Sequence, residues 1–153
     1  MNIPMNFLPD DVVLFRLLLS ALLGGAVGLH RELHGKPAGL RTHILVCVGS
    51  TLFTLVSLAL PVEADVGRIA SNIVVGIGFL GAGSIFRSRT HVSGLTTAAD
   101  LWVVAAIGLA VGVNYVHAAV VSTVLVLVVL TLGKFASTLI DFFRMGVNTH
   151  DRD

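Results

Sequence analysis

Five long apolar runs, separated by short segments that hold most of the charged residues, dominate this 153-residue sequence. A bilayer core about 30 Å thick requires about 20 mainly apolar residues at a rise of about 1.5 Å each. Helices satisfy their own backbone hydrogen bonds in hydrocarbon, and the runs lack the strict alternation of barrel strands. The sequence therefore predicts an all-α, polytopic membrane protein, a single domain with a bundle of about five transmembrane helices. The predicted helices span residues 12–29, 44–60, 69–86, 97–113 and 116–133, followed by a cytoplasmic tail at 134–153.

The composition supports this class of protein. Hydrophobic residues make up 55% of the chain, and the 12% of charged residues is about half the fraction found in soluble domains. The formal net charge of +1 argues against a nucleic-acid-binding protein, which needs a basic face. Cys47, the single cysteine, has no partner for an internal disulfide. Because Asp10 and Asp11 precede the first run and no Lys or Arg does, we expect that run to be retained rather than cleaved as a signal peptide.

Lysine and arginine are distributed unevenly among the connecting segments. In a five-helix count one side of the membrane holds Arg31, Lys36, Arg41, Arg87, Arg89, Lys134, Arg144 and Arg152. The other side holds Arg16 and Arg68 together with Asp10, Asp11, Glu63 and Asp65. The positive-inside rule therefore predicts an N-terminus outside and a C-terminus in the cytoplasm. Arg16, near the start of the first helix, is expected to extend outward to the interface.

Small residues recur along three of the predicted helices. Close backbone contact drives helix association in lipid, and small side chains permit it. We therefore expect these glycines to pack helices together, with a partner-docking or oligomer face as the alternative. The predicted helix-packing residues are Gly24, Gly28, Gly76, Gly78, Gly81, Gly83, Gly108 and Gly112, and Ser20 continues the first series.

Polar residues gather at the predicted cytoplasmic ends of the helices. His30 and His34 are spaced to share a helical face, where they either bind a cation or are simply solvated; with no further ligand nearby, we expect no metal site. Arg41 follows a turn at Pro37 and Gly39, and it either pairs with Glu32, binds an anionic headgroup or is a plain interfacial anchor.

Asp100 is the one acidic residue predicted to lie near membrane depth. Such a carboxylate suggests function, although a helix N-terminus or an arginine such as Arg87 or Arg89 can also stabilise it. Trp102 is expected to mark the interface. We name the whole set the predicted polar rim, which could bind a ligand or a partner. Its members are Arg31, Glu32, Arg41, Thr42, His43, Arg68, Thr96, Thr97, Asp100 and Trp102.

These motifs together resemble the membrane domain of the MgtC/SapB family over about residues 16–134. The matching stretches are Gly28-Leu-His-Arg31-Glu32, Pro37-Ala-Gly39-Leu-Arg41-Thr42-His43, Arg68-Ile, Gly76-Ile-Gly78-Phe-Leu-Gly81-Ala-Gly83, Gly94-Leu-Thr96-Thr97-Ala-Ala99, Trp102 and Ala105-Ala-x-Gly108. The resemblance implies a bacterial inner-membrane protein linked to adaptation to low magnesium and, in pathogens, to survival inside host cells. It also implies action through membrane-protein partners such as the F-type ATP synthase. Many members carry a soluble C-terminal domain, and we expect this chain to consist of the transmembrane domain alone.

Two functions are compatible with the sequence. The first is a non-enzymatic membrane regulator that docks on a partner complex or forms a homo-oligomer through its small-residue faces. The second is a transporter or channel for Mg²⁺, an anion or a small solute, with Glu32, Arg41, Arg68 and Asp100 along a polar path. Mg²⁺ takes oxygen ligands, and only Asp100 is predicted at membrane depth. The sequence therefore favours a regulator, or a protein that binds an anionic ligand, over a Mg²⁺ transporter. No nucleophile–base pair stands at readable spacing, so we expect neither enzymatic activity nor a cofactor.

Overall fold

The computed structural model of this chain describes residues 8–60 and 66–148, with side chains for 8–60 and 67–133. Glu63, Asp65 and residues 149–153, which the sequence assigned to an outer loop and the tail, lie outside the described residues. The predicted all-α architecture of five helices is confirmed. The elements are α1 (Asp10–Leu33), α2 (Leu40–Ala59), α3 (Val66–Gly83), β1 (Phe86–Arg87), β2 (Val92–Ser93), α4 (Leu95–Gly112) and α5 (Val116–Asn148).

Within the described residues, four helices are long and apolar enough to cross a membrane. They are α1, α2, α4 and the first part of α5, Val116–Gly133. The apolar part of α3, Gly67–Gly83, is shorter at 17 residues, near the lower limit of about 17 for a membrane span. The chain is therefore a multi-pass membrane protein, while a full crossing by α3 and the orientation of the bundle stay predictions.

The helices do not end where the apolar runs end. At one end of the bundle α1 continues to Leu33 and α2 already begins at Leu40, so Arg31 and His43 lie on helices. The predicted end of the third helix at residue 86 is wrong, because α3 stops at Gly83. There both the backbone N–H and the hydroxyl of Ser84 donate to the carbonyl of Gly81, at 3.0 and 2.7 Å, which closes the last turn.

A two-stranded hairpin, absent from the sequence prediction, connects α3 to α4. Phe86 pairs with Ser93 and Arg87 with Val92 in antiparallel register. Gly94 then has φ +88°, and a side chain there would collide with the carbonyl of Ser84. Glycine is the residue that adopts this left-handed conformation without a steric penalty, and it allows the hairpin to turn directly into α4.

α4 lies at the centre of the bundle and contacts all four other helices. α2 packs on α1 and α4, while α3 packs on α4 and α2 and α5 packs on α4 and α1. Buried apolar residues of α1, α2, α4 and α5 form the main core, which contains Leu23, Val27, Cys47, Val104, Ile107, Val111 and Ala119. A second, smaller group joins α3 to α4 and includes Ile77, Leu101 and Ala105.

Candidate functional site

Arg31, in the last turn of α1, is buried rather than solvated at the end of its helix. Only 4% of the residue is exposed, and its Nη2 donates to the Thr97 hydroxyl at 2.6 Å. Its Nε lies 2.6 Å from Oδ2 of Asp100. One guanidinium therefore connects the end of α1 to the first two turns of α4.

Asp100 forms an ion pair with Arg31 through one carboxylate oxygen and faces the ring of His43 with the other. The residue is 5% exposed, and its Oδ1 is 3.4 Å from Nε2 of His43. Neither carboxylate oxygen has a hydrogen bond of good geometry from a described residue, although the ion pair with Arg31 is short. A buried charge is very costly unless it is paired, so this ion pair is what permits Asp100 to lie inside the bundle.

His43, in the first turn of α2, is completely buried. Its Nδ1 is 2.8 Å from the carbonyl oxygen of Gly39, one turn earlier in the chain. Gly24 and Gly28 of α1 make room for it, because a Cβ on either glycine would lie 2.8 Å from the backbone or Cβ of His43. We define Arg31, His43, Thr97 and Asp100 as the buried polar cluster, which joins α1, α2 and α4.

Four of the predicted packing glycines lie where α2 contacts its two neighbours, α1 and α4. Gly24 and Gly28 bring α1 against α2, while Gly108 and Gly112 bring α4 against α2. A Cβ at Gly108 would collide with the carbonyl of Cys47, and one at Gly112 would lie 2.5 Å from Cβ of Thr54. The Thr51 hydroxyl donates to the Gly108 carbonyl at 2.7 Å across this contact. These glycines therefore let α2 approach both of its neighbours at backbone distance.

The predicted packing glycines of α3 are placed differently. No described atom outside the helix lies within 4 Å of a Cβ built at Gly76, Gly78 or Gly83, and Gly81 makes only an ordinary contact with Ala98 at 3.5 Å. Gly76, Gly78 and Gly83 therefore contact no other described helix, whereas Gly81 faces α4. Beside them, an apolar cleft of about 430 Å³ separates α3 from α2; it is lined by residues including Gly49, Phe53, Asn72, Ile73 and Leu80.

Only four members of the predicted polar rim meet in the buried cluster. The other six are exposed: Glu32, Arg41, Thr42, Arg68, Thr96 and Trp102. Glu32 does not pair with Arg41 but accepts the backbone N–H of Leu40 at 2.7 Å, which caps the start of α2. Asp100 likewise pairs with Arg31 and not with Arg87 or Arg89. The predicted polar rim is therefore not one continuous surface: four of its members form a buried centre, and the other six do not join it.

The histidine pair at the end of α1 is stacked. The rings of His30 and His34 have centroids 4.3 Å apart, and Nδ1 of His34 is 2.6 Å from the carbonyl oxygen of His30. In the parts of the chain that the structure describes, no group of three or more metal-ligating side chains is found.

The sequence prediction for Arg16 is wrong. Instead of extending to the interface, Arg16 is 7% exposed and its Nη1 donates to the carbonyl of Gly112 at 2.7 Å. This carbonyl belongs to the last turn of α4, where the helix dipole favours a cation. A signal for this position was present, since Arg16, Ser20, Leu23 and Val27 follow the helical period of the buried face of α1.

A comparison with protein families decides the membership of the chain. The MgtC family model matches residues 17–139, which include α2, α3 and α4, most of α1 and α5, and the buried polar cluster. The chain belongs to the MgtC family.

Several curated relatives support this membership of the MgtC family. The Escherichia coli K12 protein named "Putative magnesium transporter YhiD" is 45% identical over 125 residues, covering 76% of this chain and 58% of the relative. "Protein MgtC" of Brucella abortus is 41% identical over 124 residues, 81% of this chain and 52% of the relative. "Protein SrpB" of Synechococcus elongatus is 39% identical over 139 residues, 79% of this chain and 73% of the relative. The chain thus spans little more than half of the first two, and no solved structure matches it.

Proposed function

We propose that this protein is a non-enzymatic regulator of membrane physiology under magnesium limitation, located in a bacterial inner membrane and acting through membrane-protein partners. Membership of the MgtC family, and the word magnesium in the name of its relative YhiD, support the link to this ion. The preference for a regulatory role over transport rests on the ion pair between charged residues inside the bundle.

The observation that carries the proposal is the pairing of Asp100. A Mg²⁺ carrier needs oxygen ligands along its path, and Asp100 is the acidic residue that the structure buries within its described part. Its two oxygens face the guanidinium of Arg31 and the ring of His43. Binding Mg²⁺ there would require displacing an arginine, which favours a structural role for the carboxylate over ion coordination.

The competing function is transport of Mg²⁺ or another solute. The printed name of YhiD favours it, and so do the hydroxyl-bearing residues buried along α2 (Ser50, Thr51, Thr54 and Ser57). The hydroxyls of Thr51 and Thr54, however, donate to backbone carbonyls at 2.7 Å. A threonine that satisfies a carbonyl inside a tightly packed contact stabilises that contact, so these two residues count against an open path.

Flux into proteoliposomes distinguishes the two functions. We expect purified protein to give no Mg²⁺ uptake above that of protein-free vesicles. Saturable uptake that is abolished by Asp100→Asn and retained by Glu32→Gln would overturn the regulator in favour of the carrier. The exposed Glu32 is the matched control because its carboxylate accepts the backbone N–H of Leu40 and lies outside the buried polar cluster, although the sequence placed it on the same polar path.

Partner binding requires a separate experiment. Gly108 and Gly112 are used inside the chain, so they cannot supply the predicted docking face. The open glycines of α3, beside Phe79 with 83% exposure, leave a helix face where a partner helix can approach closely. In pull-downs from native membranes we expect a co-purifying membrane complex that Gly76→Leu removes and Gly133→Leu on α5 retains. Equal recovery with both variants would contradict the use of α3.

A further inference from the structure

The apolar cleft between α2 and α3 opens sideways on the surface of the bundle. Its volume of about 430 Å³ falls within the range of about 300–1,000 Å³ that small-ligand pockets occupy. The apolar side chains of Leu45, Phe53 and Leu80 line it and are themselves exposed, so they border its mouth. Since α2 is long and apolar enough to cross a membrane, a cleft along its exposed side faces hydrocarbon rather than water.

Two glycines keep this cleft free of side chains. Gly49 of α2 and Gly76 of α3 both line it, and a Cβ at either position would have no described atom outside its own helix within 4 Å. On its other sides α2 meets α1 and α4 at backbone distance, so the gap towards α3 is a local feature. Apolar groups that line an empty space lose their dispersion contacts. The cleft therefore favours an apolar occupant.

The length of the cleft matches one leaflet of a bilayer. Its lining residues run from Leu45 to Phe53 on α2 and from Ile69 to Leu80 on α3. At about 1.5 Å per residue these stretches are about 12 and about 16 Å long. A leaflet contributes about 15 Å to a hydrocarbon core about 30 Å thick. A partner helix crosses both leaflets, so a cleft of this length favours a single lipid acyl chain.

Polar groups lie at one end of the cleft. Among the described lining residues the polar ones are Ser50, which is buried, and Asn72, which is exposed in the second turn of α3. Arg68, one turn before Asn72, is also exposed and shares its helical face. Side chains on a helix tilt towards its N-terminus, and a long arginine at a helix end extends to the headgroup region. An apolar cleft with a cation beyond one end is complementary to an anionic lipid.

We propose that this cleft binds one acyl chain of an anionic phospholipid, whose phosphate contacts Arg68 and Asn72. The guanidinium supplies the charge and a planar pair of donors for phosphate oxygens, and the Asn72 amide supplies a further donor. Phe79 is not among the lining residues, so it lies outside the lipid site. The inference does not rest on the proposed regulatory function, and its test uses α2 rather than the α3 glycine variant.

Tryptophan quenching by brominated lipids tests the site in the full chain. Phe53→Trp in a Trp102→Phe background places the single indole of the chain at the mouth of the cleft. In phosphatidylcholine vesicles we expect brominated phosphatidylglycerol to bind beside this indole about fivefold more tightly than brominated phosphatidylcholine, the preference of one arginine near anionic headgroups. Leu125→Trp, exposed on α5, is the control and should be quenched equally by both lipids. Equal quenching at Phe53→Trp would overturn the proposal.

Two further substitutions separate the acyl chain from the headgroup. Gly49→Leu fills the cleft from α2, and we expect it to abolish the fivefold preference, whereas Gly133→Leu, at an open glycine of α5, should retain it. Arg68→Gln should make the two lipids equal while both still quench. A preference that survives Gly49→Leu would show that the acyl chain lies elsewhere, and the proposal would be wrong.

Shielding of the Phe53→Trp indole from both brominated lipids is a further outcome. It would assign the cleft to a second copy of the chain or to another protein, and it would overturn the lipid site. The first comparison needs only the indole-bearing protein, so poor folding of Gly49→Leu cannot obscure the result. Loss of a co-purifying complex in Gly76→Leu bears on the regulatory function alone, because the lipid preference is measured on purified protein.

Discussion

Arg31 and Asp100 illustrate how a charged residue can be stable inside a membrane bundle. Each is at most 5% exposed, and each is the nearest opposite charge to the other. Removing one partner leaves an uncompensated buried charge, whereas replacing both with apolar residues of similar size removes the need for pairing. The energetic role of the pair is therefore visible only when single and double variants are compared.

We expect Asp100→Leu to destabilise the protein by about 3–5 kcal/mol, because it leaves the Arg31 guanidinium buried without its anion. Adding Arg31→Met should restore most of the lost free energy of unfolding, measured by denaturant titration in detergent. The exposed Arg41→Ala is the control and should change stability by less than about 0.5 kcal/mol. Losses that simply add in the double variant would contradict the pairing.

Which arginine pairs with Asp100 could not be read from the sequence. The positive-inside count correctly grouped Arg31, Arg87 and Arg89 with Asp100 at one end of the bundle. The choice among them depends on α1 lying beside α4, and nothing in a single sequence states which helices are neighbours. His43 was predicted as a member of the polar rim, whereas its burial follows from the two glycines of α1 that contact it.

At the scale of the helices, glycines act in two ways that their spacing does not distinguish. Gly108 and Gly133 both lie on helices and both lack a side chain. The first faces the backbone of Cys47, and the second has no described atom within 4 Å of a Cβ outside its own helix. An added methyl group should therefore have opposite effects at these positions.

Gly108→Ala should destabilise the bundle by about 1–3 kcal/mol, because its Cβ would meet the Cys47 carbonyl and force α2 and α4 apart. Gly133→Ala should be neutral or stabilising by up to about 1 kcal/mol, since alanine favours a helix over glycine. Thermal unfolding followed by circular dichroism measures both. If both substitutions stabilise the protein, the contact between α2 and α4 is not as close as described.

Two glycines with a left-handed backbone give a second matched pair of variants. Gly35 and Gly94 have φ of +62° and +88°, but only Gly94 has atoms of the preceding segment where a Cβ would be. Gly35→Ala should cost about 1–2 kcal/mol from the left-handed backbone alone. Gly94→Ala should cost more, because it also displaces the hairpin from Ser84. Equal unfolding midpoints for these variants would contradict the steric part of this expectation.

The whole molecule could be predicted in outline, since apolar runs of membrane length leave few alternatives to a helix bundle. The runs mark where hydrocarbon can surround a helix, but they do not mark where a helix ends in water. For this reason the sequence missed the polar turns at the end of α1 and the start of α2. The hairpin at residues 86–93 was missed because its apolar residues, such as Phe86, extend the apolar run of α3.

The predicted orientation can be tested with a membrane-impermeant maleimide on whole cells. Cys47 is completely buried, and a Cys47→Ala background ensures that only the introduced cysteine can be labelled. Tyr115→Cys, at an exposed position between α4 and α5, should be labelled from outside. Lys36→Cys, in the basic loop between α1 and α2, should be labelled only after the membrane is permeabilised. The reverse pattern would place the N-terminus in the cytoplasm.

The two arginines of α1 hold α4 near both of its ends. Arg31 binds Thr97 and Asp100 near the start of α4, and Arg16, about 22 Å away along α1, binds the Gly112 carbonyl at its finish. Because the two contacts lie near opposite ends of α4, α1 cannot tilt or slide against α4 without breaking one of them. α1 and α4 therefore behave as one rigid frame, with α2 wedged against both by its glycine contacts. Movement of α1 against α4 would have to break a buried ionic contact, so we expect any response to the membrane or to a partner to involve α3 or α5 instead.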